Sequence, residues 1–206
     1  MLAIKGLVKR FSNKEIIYPE ITASKGDFVL VCGDSGAGKT TLCEIIAKFV
    51  DSNAGNIFIN GIDIHKQNVF ENLHYVSQFP EHNLIGPTCF EEIDCWIVNN
   101  RNSVIDTQNH RRFITEKLNE FYLAELVDRP IWKLSFGKKK ALAFCALSAI
   151  NRSIWVLDEP FAGLDKEISR KVVEMFKEFV SGGGIIIATS HTNSGFEDFD
   201  VMRYDL

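Results

Sequence analysis

The stretch Gly33-Asp34-Ser35-Gly36-Ala37-Gly38-Lys39-Thr40 lies between an apolar, strand-like run, Asp27 to Cys32, and a helical apolar pattern from Leu42 to Phe49. It matches the pattern G-x-x-x-x-G-K-[ST] at every fixed position. Its glycines let backbone N–H groups point at an anion, and the following helix adds the partial positive charge of its N-terminus. Lys39 can reach β- and γ-phosphates, and the Thr40 hydroxyl can bind Mg²⁺. The stretch, called here the phosphate loop, predicts a strand–loop–helix unit that binds a nucleoside triphosphate.

A second fragment, Ile154-Trp155-Val156-Leu157-Asp158-Glu159-Pro160, supplies two acids at the end of an apolar strand. In a parallel sheet, ligands collect outside the carboxyl ends of the strands. Asp158 is expected to hold Mg²⁺, directly or through water. Glu159 is expected to orient or deprotonate a water that attacks the γ-phosphate. The alternative is that the two acids only cap an exposed strand end.

Composition and charge limit the classes of protein that fit. The 206-residue chain is 46% hydrophobic and 24% charged, as in soluble globular proteins. Its densest apolar run, Ala141 to Ile150, is about half the roughly 18 residues that cross a bilayer, and Met1 to Gly6 contains no signal-peptide core. The net charge of −4 argues against a broad nucleic-acid surface, and Lys138-Lys139-Lys140 is expected on the solvated side of a helix start. Five cysteines without C-x-x-C spacing favour a reducing, cytoplasmic location.

The order of patterns predicts an α/β core that is interrupted by an all-helical lobe. An antiparallel β region is expected over residues 2–31, and a helical region from about Glu91 to Ile150 with a polar stretch near Asn99 to His110. Further strands are expected at Asn56–Gly61, Leu73–Gln78, Ile154–Leu157, Ile185–Thr189 and Asp200–Leu206, with a helix at Lys166–Val180. We expect a single domain, 1–206, in which about 1–88 and 151–206 form the core and β subdomain and about 89–150 the helical subdomain.

Six motifs together resemble the nucleotide-binding subunit of an ATP-binding-cassette (ABC) transporter, over essentially the whole chain. They are the phosphate loop, Gln78, the segment Leu134-Ser135-Phe136-Gly137-Lys138, Asp158-Glu159, Ala162-Gly163-Leu164-Asp165 and Ser190-His191. The resemblance implies the ABC ATPase fold, with a P-loop core, an N-terminal antiparallel β subdomain and an inserted helical subdomain. It implies an ATP hydrolase that uses ATP and Mg²⁺. The expected ATP contacts are Phe11, Gly33, Asp34, Ser35, Gly36, Ala37, Gly38, Lys39, Thr40 and Thr41.

The resemblance also assigns roles to individual residues. Gln78 is expected to touch Mg²⁺ and the attacking water, so that the metal set is Thr40, Gln78 and Asp158. His191 is expected to contact the γ-phosphate and to act with Glu159 and Gln78 as a catalytic residue. Asp165 is expected to reach across a dimer interface, although it could also be only a helix N-cap.

Adenine is expected to stack on an aromatic residue near the N-terminus. Phe11 occupies the place where the family keeps such an aromatic ring, whose face can stack on a base. Tyr18 is the other candidate, and a core contact is the alternative role for Phe11.

The segments Gln78-Phe79-Pro80-Glu81-His82-Asn83 and Pro87-Thr88-Cys89-Phe90-Glu91-Glu92 resemble the energy-coupling-factor ATPases, which serve vitamin and cobalt or nickel uptake. Asn83 and Cys89 depart from that pattern, which has Gln and Val at these positions. The resemblance implies a second ATPase subunit and an integral membrane subunit as partners, with the chain on the inner face of the membrane. A soluble ABC ATPase that acts on nucleic acid or ribosomes is the alternative.

One motif departs clearly from the family. The family's Leu-Ser-Gly-Gly-Gln segment binds the γ-phosphate held by the opposite subunit, and here it reads Leu134 to Lys138 with Phe136 and Lys138 in place of Gly and Gln. The expected trans contacts are Ser135, Phe136, Gly137 and Lys138. A bulky group at residue 136 would hinder the close approach of backbone to phosphate. Damage confined to this segment predicts a heterodimer with a paralogue whose segment is intact.

Overall fold

The computed structural model describes residues 1–99, 110–192 and 194–206. Within these residues the strands are β1 (Leu2–Arg10), β2 (Glu15–Ile17), β3 (Ile21–Ala23), β4 (Phe28–Cys32), β5 (Ala54–Ile59), β6 (Ile62–Asp63), β7 (Leu73–Val76), β8 (Ile154–Asp158), β9 (Ile185–Ser190) and β10 (Val201–Asp205). The helices are α1 (Lys39–Ile46), α2 (Cys89–Asn99), α3 (His110–Glu120), α4 (Phe136–Ser148) and α5 (Lys166–Ser181). Most of the polar stretch predicted near Asn99 to His110 lies outside the described residues.

The described chain divides into two compact units. Residues 1–78, 152–160 and 176–206 form the core unit, and residues 79–151 and 161–175 form the helical unit. Both sheets and α1 belong to the core unit, whereas α2, α3 and α4 belong to the helical unit. None of the helices in the described ranges has both the length and the apolar character that crossing a bilayer requires.

A five-stranded parallel sheet positions the candidate site. Its strand order is β10-β4-β9-β8-β7, and every neighbouring pair is parallel. All residues of β4, β7, β8 and β9 are buried, as their nearly continuous apolar sequences require in a sheet covered on both faces. Because the strands are parallel, the carboxyl ends of β4, β9, β8 and β7 lie along one edge in that order.

The prediction of an antiparallel region over residues 2–31 is wrong for its last strand. β1, β2 and β3 pair antiparallel with one another or with β5, as expected. β4 instead pairs parallel with β9 and β10. Its five consecutive apolar residues are the pattern of a strand buried on both faces, whereas the alternating pattern of β3 suits a sheet with one exposed face.

In the helical unit, α4 is buried along most of its length. Every residue from Lys140 to Leu147 is buried, which fits a helix that is apolar on nearly all sides. The expectation that the three lysines at the start of α4 are solvated is wrong for Lys140, whose side chain is fully buried and donates from Nζ to the Ala162 carbonyl at 2.9 Å. Lys138 is exposed, as expected, and Lys139 forms an ion pair with Glu81 at 2.8 Å.

Candidate nucleotide site

The phosphate loop connects β4 to α1, the arrangement predicted from its sequence. Gly36 and Gly38 have φ values of +79° and +114°, which L-residues with a side chain rarely adopt. A Cβ atom on Gly38 would also lie 2.6 Å from Cδ1 of Ile16. Among the residues that the structure describes, no side chain caps the N-terminus of α1, so its first N–H groups remain available to an anion.

A cavity of about 370 Å³ opens over this loop within the core unit. Five chain segments that are distant in sequence supply its walls. The lining residues are Phe11, Asn13, Lys14, Ile16, Ser35, Gly36, Gly38, Lys39, Thr40, Thr41, Gln78, Glu159 and His191. The structure therefore brings most of the predicted ATP contacts together with all three predicted catalytic residues, Gln78, Glu159 and His191.

Lys39 is buried at the floor of the cavity. Its Nζ atom donates to the carbonyl oxygens of Gly33 at 2.7 Å and Asp34 at 3.0 Å. It also lies 3.0 Å from Nδ1 of His191 and 3.9 Å from Oε1 of Glu159. The ammonium group is thus held within the loop, where a phosphate bound at the backbone N–H groups would meet it.

His191 connects Lys39 to Glu159. Its Nδ1 atom lies 3.0 Å from Lys39 Nζ and 3.2 Å from the Gly33 carbonyl, while Nε2 lies 3.1 Å from Oε1 of Glu159. A lysine ammonium can only donate, so Nδ1 is the acceptor in its contact with Lys39 Nζ. Nε2 faces the carboxylate at this distance, so the imidazole lies between the ammonium group of Lys39 and Glu159.

Glu159 has the properties of a carboxylate placed for chemistry. It is 8% exposed, and burial raises its pKa above the ordinary value of 4.5, against the opposing effects of His191 and Lys39. Its φ of +48° is in the left-handed region, which is unusual for a residue with a side chain. Strain of this kind, about 1–3 kcal/mol, collects at functional sites. The backbone N–H of Glu159 donates to Thr189 Oγ1 at 3.2 Å, which helps to hold this conformation.

Asp158 carries a carboxylate oxygen that a metal could use. Thr189 Oγ1 donates to Asp158 Oδ1 at 2.6 Å, whereas Oδ2 is buried and has no hydrogen-bond partner among the described residues. Buried carboxylate oxygens without a partner are costly, and a cation would satisfy this one. Together with the Thr40 hydroxyl and the Gln78 amide, both at the cavity wall, Asp158 makes an all-oxygen donor set of the kind that Mg²⁺ prefers. The residues therefore fit the predicted metal.

The two aromatic candidates for adenine stacking differ in their exposure. Phe11 is 46% exposed at the cavity wall, so its ring face is accessible. Tyr18 is 3% exposed, its hydroxyl lies under the phosphate loop and donates to the Gly38 carbonyl at 3.2 Å, and burial raises its pKa to about 12. The structure excludes Tyr18 as a stacking residue and leaves Phe11.

Lys14 and Thr189 are among the residues of the site that were not assigned to it from the sequence. Lys14 lines the cavity and donates from Nζ to the Gly36 carbonyl at 2.8 Å. Thr189 bridges Asp158 and the backbone of Glu159. Thr189 could have been found, because it is paired in register with Asp158 across two strands that the sequence predicts. Lys14 lies at the turn that the sequence predicts at Asn13-Lys14, but no pattern indicates that this turn approaches the phosphate loop.

The segment Leu134–Lys138, called here the signature segment, lies in the helical unit. Ser135 caps α4, since its Oγ accepts from the Lys138 N–H at 3.4 Å. Asp165 caps the start of α5, since its Oδ1 accepts from the Ile168 N–H at 2.9 Å. A second cavity, about 430 Å³ and confined to the helical unit, is lined in part by Ser135, Gly137, Lys138 and Asp165. The cap predicted as an alternative role for Asp165 is present.

Comparisons with known proteins agree with this architecture. The model of the family described as "ABC transporter" matches residues 19–162. The energy-coupling factor transporter ATP-binding protein EcfA1 of Fusobacterium nucleatum is 27% identical over 98% of this chain and 78% of its own length. The cytochrome c biogenesis ATP-binding export protein CcmA of Reclinomonas americana is 31% identical over 93% of this chain and 85% of its own length. The solved structure of MJ0796, a bacterial ABC transporter cassette, superposes with a TM-score of 0.83 at 21% identity, over 100% of this chain and 94% of that one, which confirms the predicted fold.

Proposed function

Because the chain belongs to the ABC transporter family and is an ATP hydrolase, we propose that it is one of two different ATPase subunits of an importer of the energy-coupling-factor type. The cargo would be a vitamin or a transition-metal ion. The observation that carries the hydrolytic part is the contact chain from Lys39 through His191 to Glu159 in one cavity. The importer part is supported by the segment from Gln78 to Glu92 and by the similarity to EcfA1.

In the proposed reaction, the phosphate loop and Lys39 bind the triphosphate, and Phe11 stacks on the adenine. Glu159 accepts the proton of the attacking water, and its raised pKa brings its basicity closer to neutral pH. His191 keeps Glu159 oriented and contacts the γ-phosphate. Mg²⁺, held by Thr40, Asp158 and Gln78, would neutralise charge on the phosphate oxygens.

The pairing with a paralogue is supported by where the sequence is altered. The three predicted catalytic residues and most of the predicted ATP contacts line one cavity, whereas two of the five residues of the signature segment differ from the family pattern. A paralogue with Leu-Ser-Gly-Gly-Gln would complete the site built on Lys39 and Glu159. Only the paralogue's own nucleotide would then face Phe136 and Lys138.

The similarity to CcmA gives a second candidate, an ATPase subunit of an exporter. The identity to CcmA is slightly higher than that to EcfA1, 31% against 27%, but it extends over less of this chain. A difference in identity this small does not outweigh the resemblance of the segment from Gln78 to Glu92 to importer ATPases. Transport direction therefore has to be measured.

The experiment is purification of the intact complex from native membranes through a tag on this chain, followed by reconstitution into liposomes that enclose ATP. We expect a second cassette ATPase with an intact signature and an integral membrane protein to copurify, and cobalt, nickel or a vitamin to accumulate inside. The same complex with Glu159→Gln is the matched control and should assemble without transport. Salt-sensitive copurification of ribosomes or nucleic acid in place of a membrane protein would overturn the proposal, as would outward transport.

A further inference from the structure

We propose that Phe136 and Lys140 are positioning residues that hold the turn 161–165 against the first turn of α4. The pair is called here the clamp. The contacts that define it lie within the helical unit. The inference rests on the proposed function in one respect, because the two parts that the clamp joins carry Ser135 and Asp165, the groups expected to face a partner subunit.

The Phe136 ring lies directly on Gly163. A Cβ atom built on Gly163 would be 2.5 Å from Cε1 and 2.7 Å from Cδ1 of the ring, closer than real Cβ contacts come. Gly163 also has a φ of +75°, so its backbone favours glycine independently. Only a residue without a side chain can let the ring approach this closely. The ring therefore packs on the turn, and 38% of Phe136 remains exposed.

Lys140, one helical turn after Phe136, holds the same turn from the buried side. Its side chain is fully buried, and Nζ donates to the Ala162 carbonyl at 2.9 Å. Nζ also lies 6.0 Å from the centroid of the Phe136 ring, at the limit of a cation–π contact. A buried ammonium is stable only with such partners, so its position depends on the turn and the turn depends on it.

The clamp links two helix caps. Ser135 precedes Phe136 and caps α4, and Asp165 follows the clamped residues and caps α5. On the same side, a Cβ atom on Gly137 would lie 3.1 Å from the Gly163 carbonyl, so α4 and the turn are in close contact there as well. The spacing of Ser135 and Asp165 is thereby fixed by contacts within this chain. The replacement of the family's glycine by Phe136 therefore also adds a packing contact to the turn, which glycine could not make.

The test is amide hydrogen exchange, measured by mass spectrometry on the isolated, nucleotide-free chain. Phe136→Gly and Lys140→Met should each speed exchange in peptides that cover 161–165 by about tenfold, because local opening no longer breaks these contacts. Exchange of the phosphate loop should not change. Phe136→Tyr and Lys140→Arg keep the ring and the donor and should exchange like the wild type. Lys133→Met removes an exposed lysine of the same unit and is the control.

Two results would overturn the clamp. One is unchanged exchange at 161–165 in Phe136→Gly, a half-exposed position whose substitution should leave the fold intact even if Lys140→Met does not fold. The other is equal acceleration by Phe136→Tyr and Phe136→Gly, which would mean that the ring's packing is irrelevant. Since no partner or hydrolysis enters this measurement, its failure is separate from failure of the proposed heterodimer.

Discussion

The nucleotide site of the core unit keeps the family's motif residues, whereas the signature segment of the helical unit departs from the family pattern. Around the phosphate loop, the three predicted catalytic residues and most of the predicted ATP contacts line one cavity. In the signature segment, Ser135 and Gly137 are kept, but Phe136 and Lys138 replace the family's Gly and Gln. The motifs expected to bind this chain's own nucleotide match the family pattern, and the segment expected to face a partner's nucleotide does not.

Backbone conformation explains why glycine could be lost in one region and not in the other. Gly36 and Gly38 of the phosphate loop require positive φ, and a side chain at Gly38 would collide with Ile16. Phe136 is the first residue of α4 and is not among the described non-glycine residues with positive φ. A side chain is therefore compatible with the backbone at residue 136.

The largest difference between the two regions should appear in nucleotide binding by the isolated chain. Lys39→Ala should weaken ATP binding by at least about 100-fold, because charge-assisted contacts to phosphate are lost. Lys138→Ala, in the signature segment, should leave affinity unchanged. Titration of the folded variants with a fluorescent ATP analogue measures both. Equal affinity of Lys39→Ala and the wild type would remove Lys39 from the site.

The two adjacent acids at the carboxyl end of β8, Asp158 and Glu159, should be distinguishable by experiment. Glu159→Gln should still bind Mg-ATP but hydrolyse it about 100-fold more slowly or worse, since an amide is not a base. Asp158→Asn should instead raise the Mg²⁺ concentration that hydrolysis requires, because Oδ2 of Asp158 is a buried oxygen that has no hydrogen-bond partner among the described residues and that Mg²⁺ could bind. Steady-state rates over a Mg²⁺ titration distinguish the two. A wild-type rate in Glu159→Gln would show that Glu159 is not catalytic.

Loss of adenine stacking should lower ATP affinity less than loss of Lys39 does. Phe11→Ala should lower ATP affinity about fivefold, the size expected for one lost aromatic contact. Phe70→Ala removes another partly exposed ring of the core unit, which does not line the cavity, and is the matched control. Indistinguishable affinities of the two variants would favour the alternative role of Phe11 as a core contact.

The smallest expected effect is on stability. Replacing Glu159 should stabilise the fold, whereas the other substitutions lower binding or activity. Burial raises the pKa of Glu159 in the folded protein, so the ionised form is less favourable there than in the unfolded chain. The contribution of this carboxyl to stability is therefore full below its ordinary pKa of 4.5 and is lost as pH rises through the folded value. Glu159→Gln should unfold at a higher temperature than the wild type at pH 7, with the difference narrowing toward pH 4. A lower midpoint at pH 7 would contradict this assignment.

The sequence was sufficient for those features that are encoded locally. The phosphate loop is a continuous motif, and Asp158, Glu159 and His191 follow apolar runs that could be recognised as parallel strands. Since parallel strands bring their carboxyl ends to one edge, the assembly of the site could be predicted without coordinates. The pairing of β4 was the exception, because an apolar run does not by itself identify the neighbouring strand.

Buried charges could not be predicted, because their partners are set by tertiary packing. Lys140 reads as part of a solvated lysine run, yet its partner carbonyl at Ala162 makes burial favourable. Glu92 is likewise fully buried, and its carboxylate accepts from the N–H groups of Ile85 and Gly86 and from Trp96 Nε1 at 2.6–2.7 Å. At the start of α2, the same residue reads as an exposed acid. The left-handed backbone of Glu159 was equally invisible in the sequence.

The most direct test of the contrast between the two regions is steady-state ATP hydrolysis by the purified chain, alone and mixed with a cassette paralogue that carries Leu-Ser-Gly-Gly-Gln. We predict slow hydrolysis alone and a large increase in the mixture. Most of that increase should be lost when Glu159→Gln is made in this chain, and little when the corresponding Glu of the paralogue is changed. Robust, cooperative hydrolysis by the isolated chain, unaltered by the paralogue, would contradict the account.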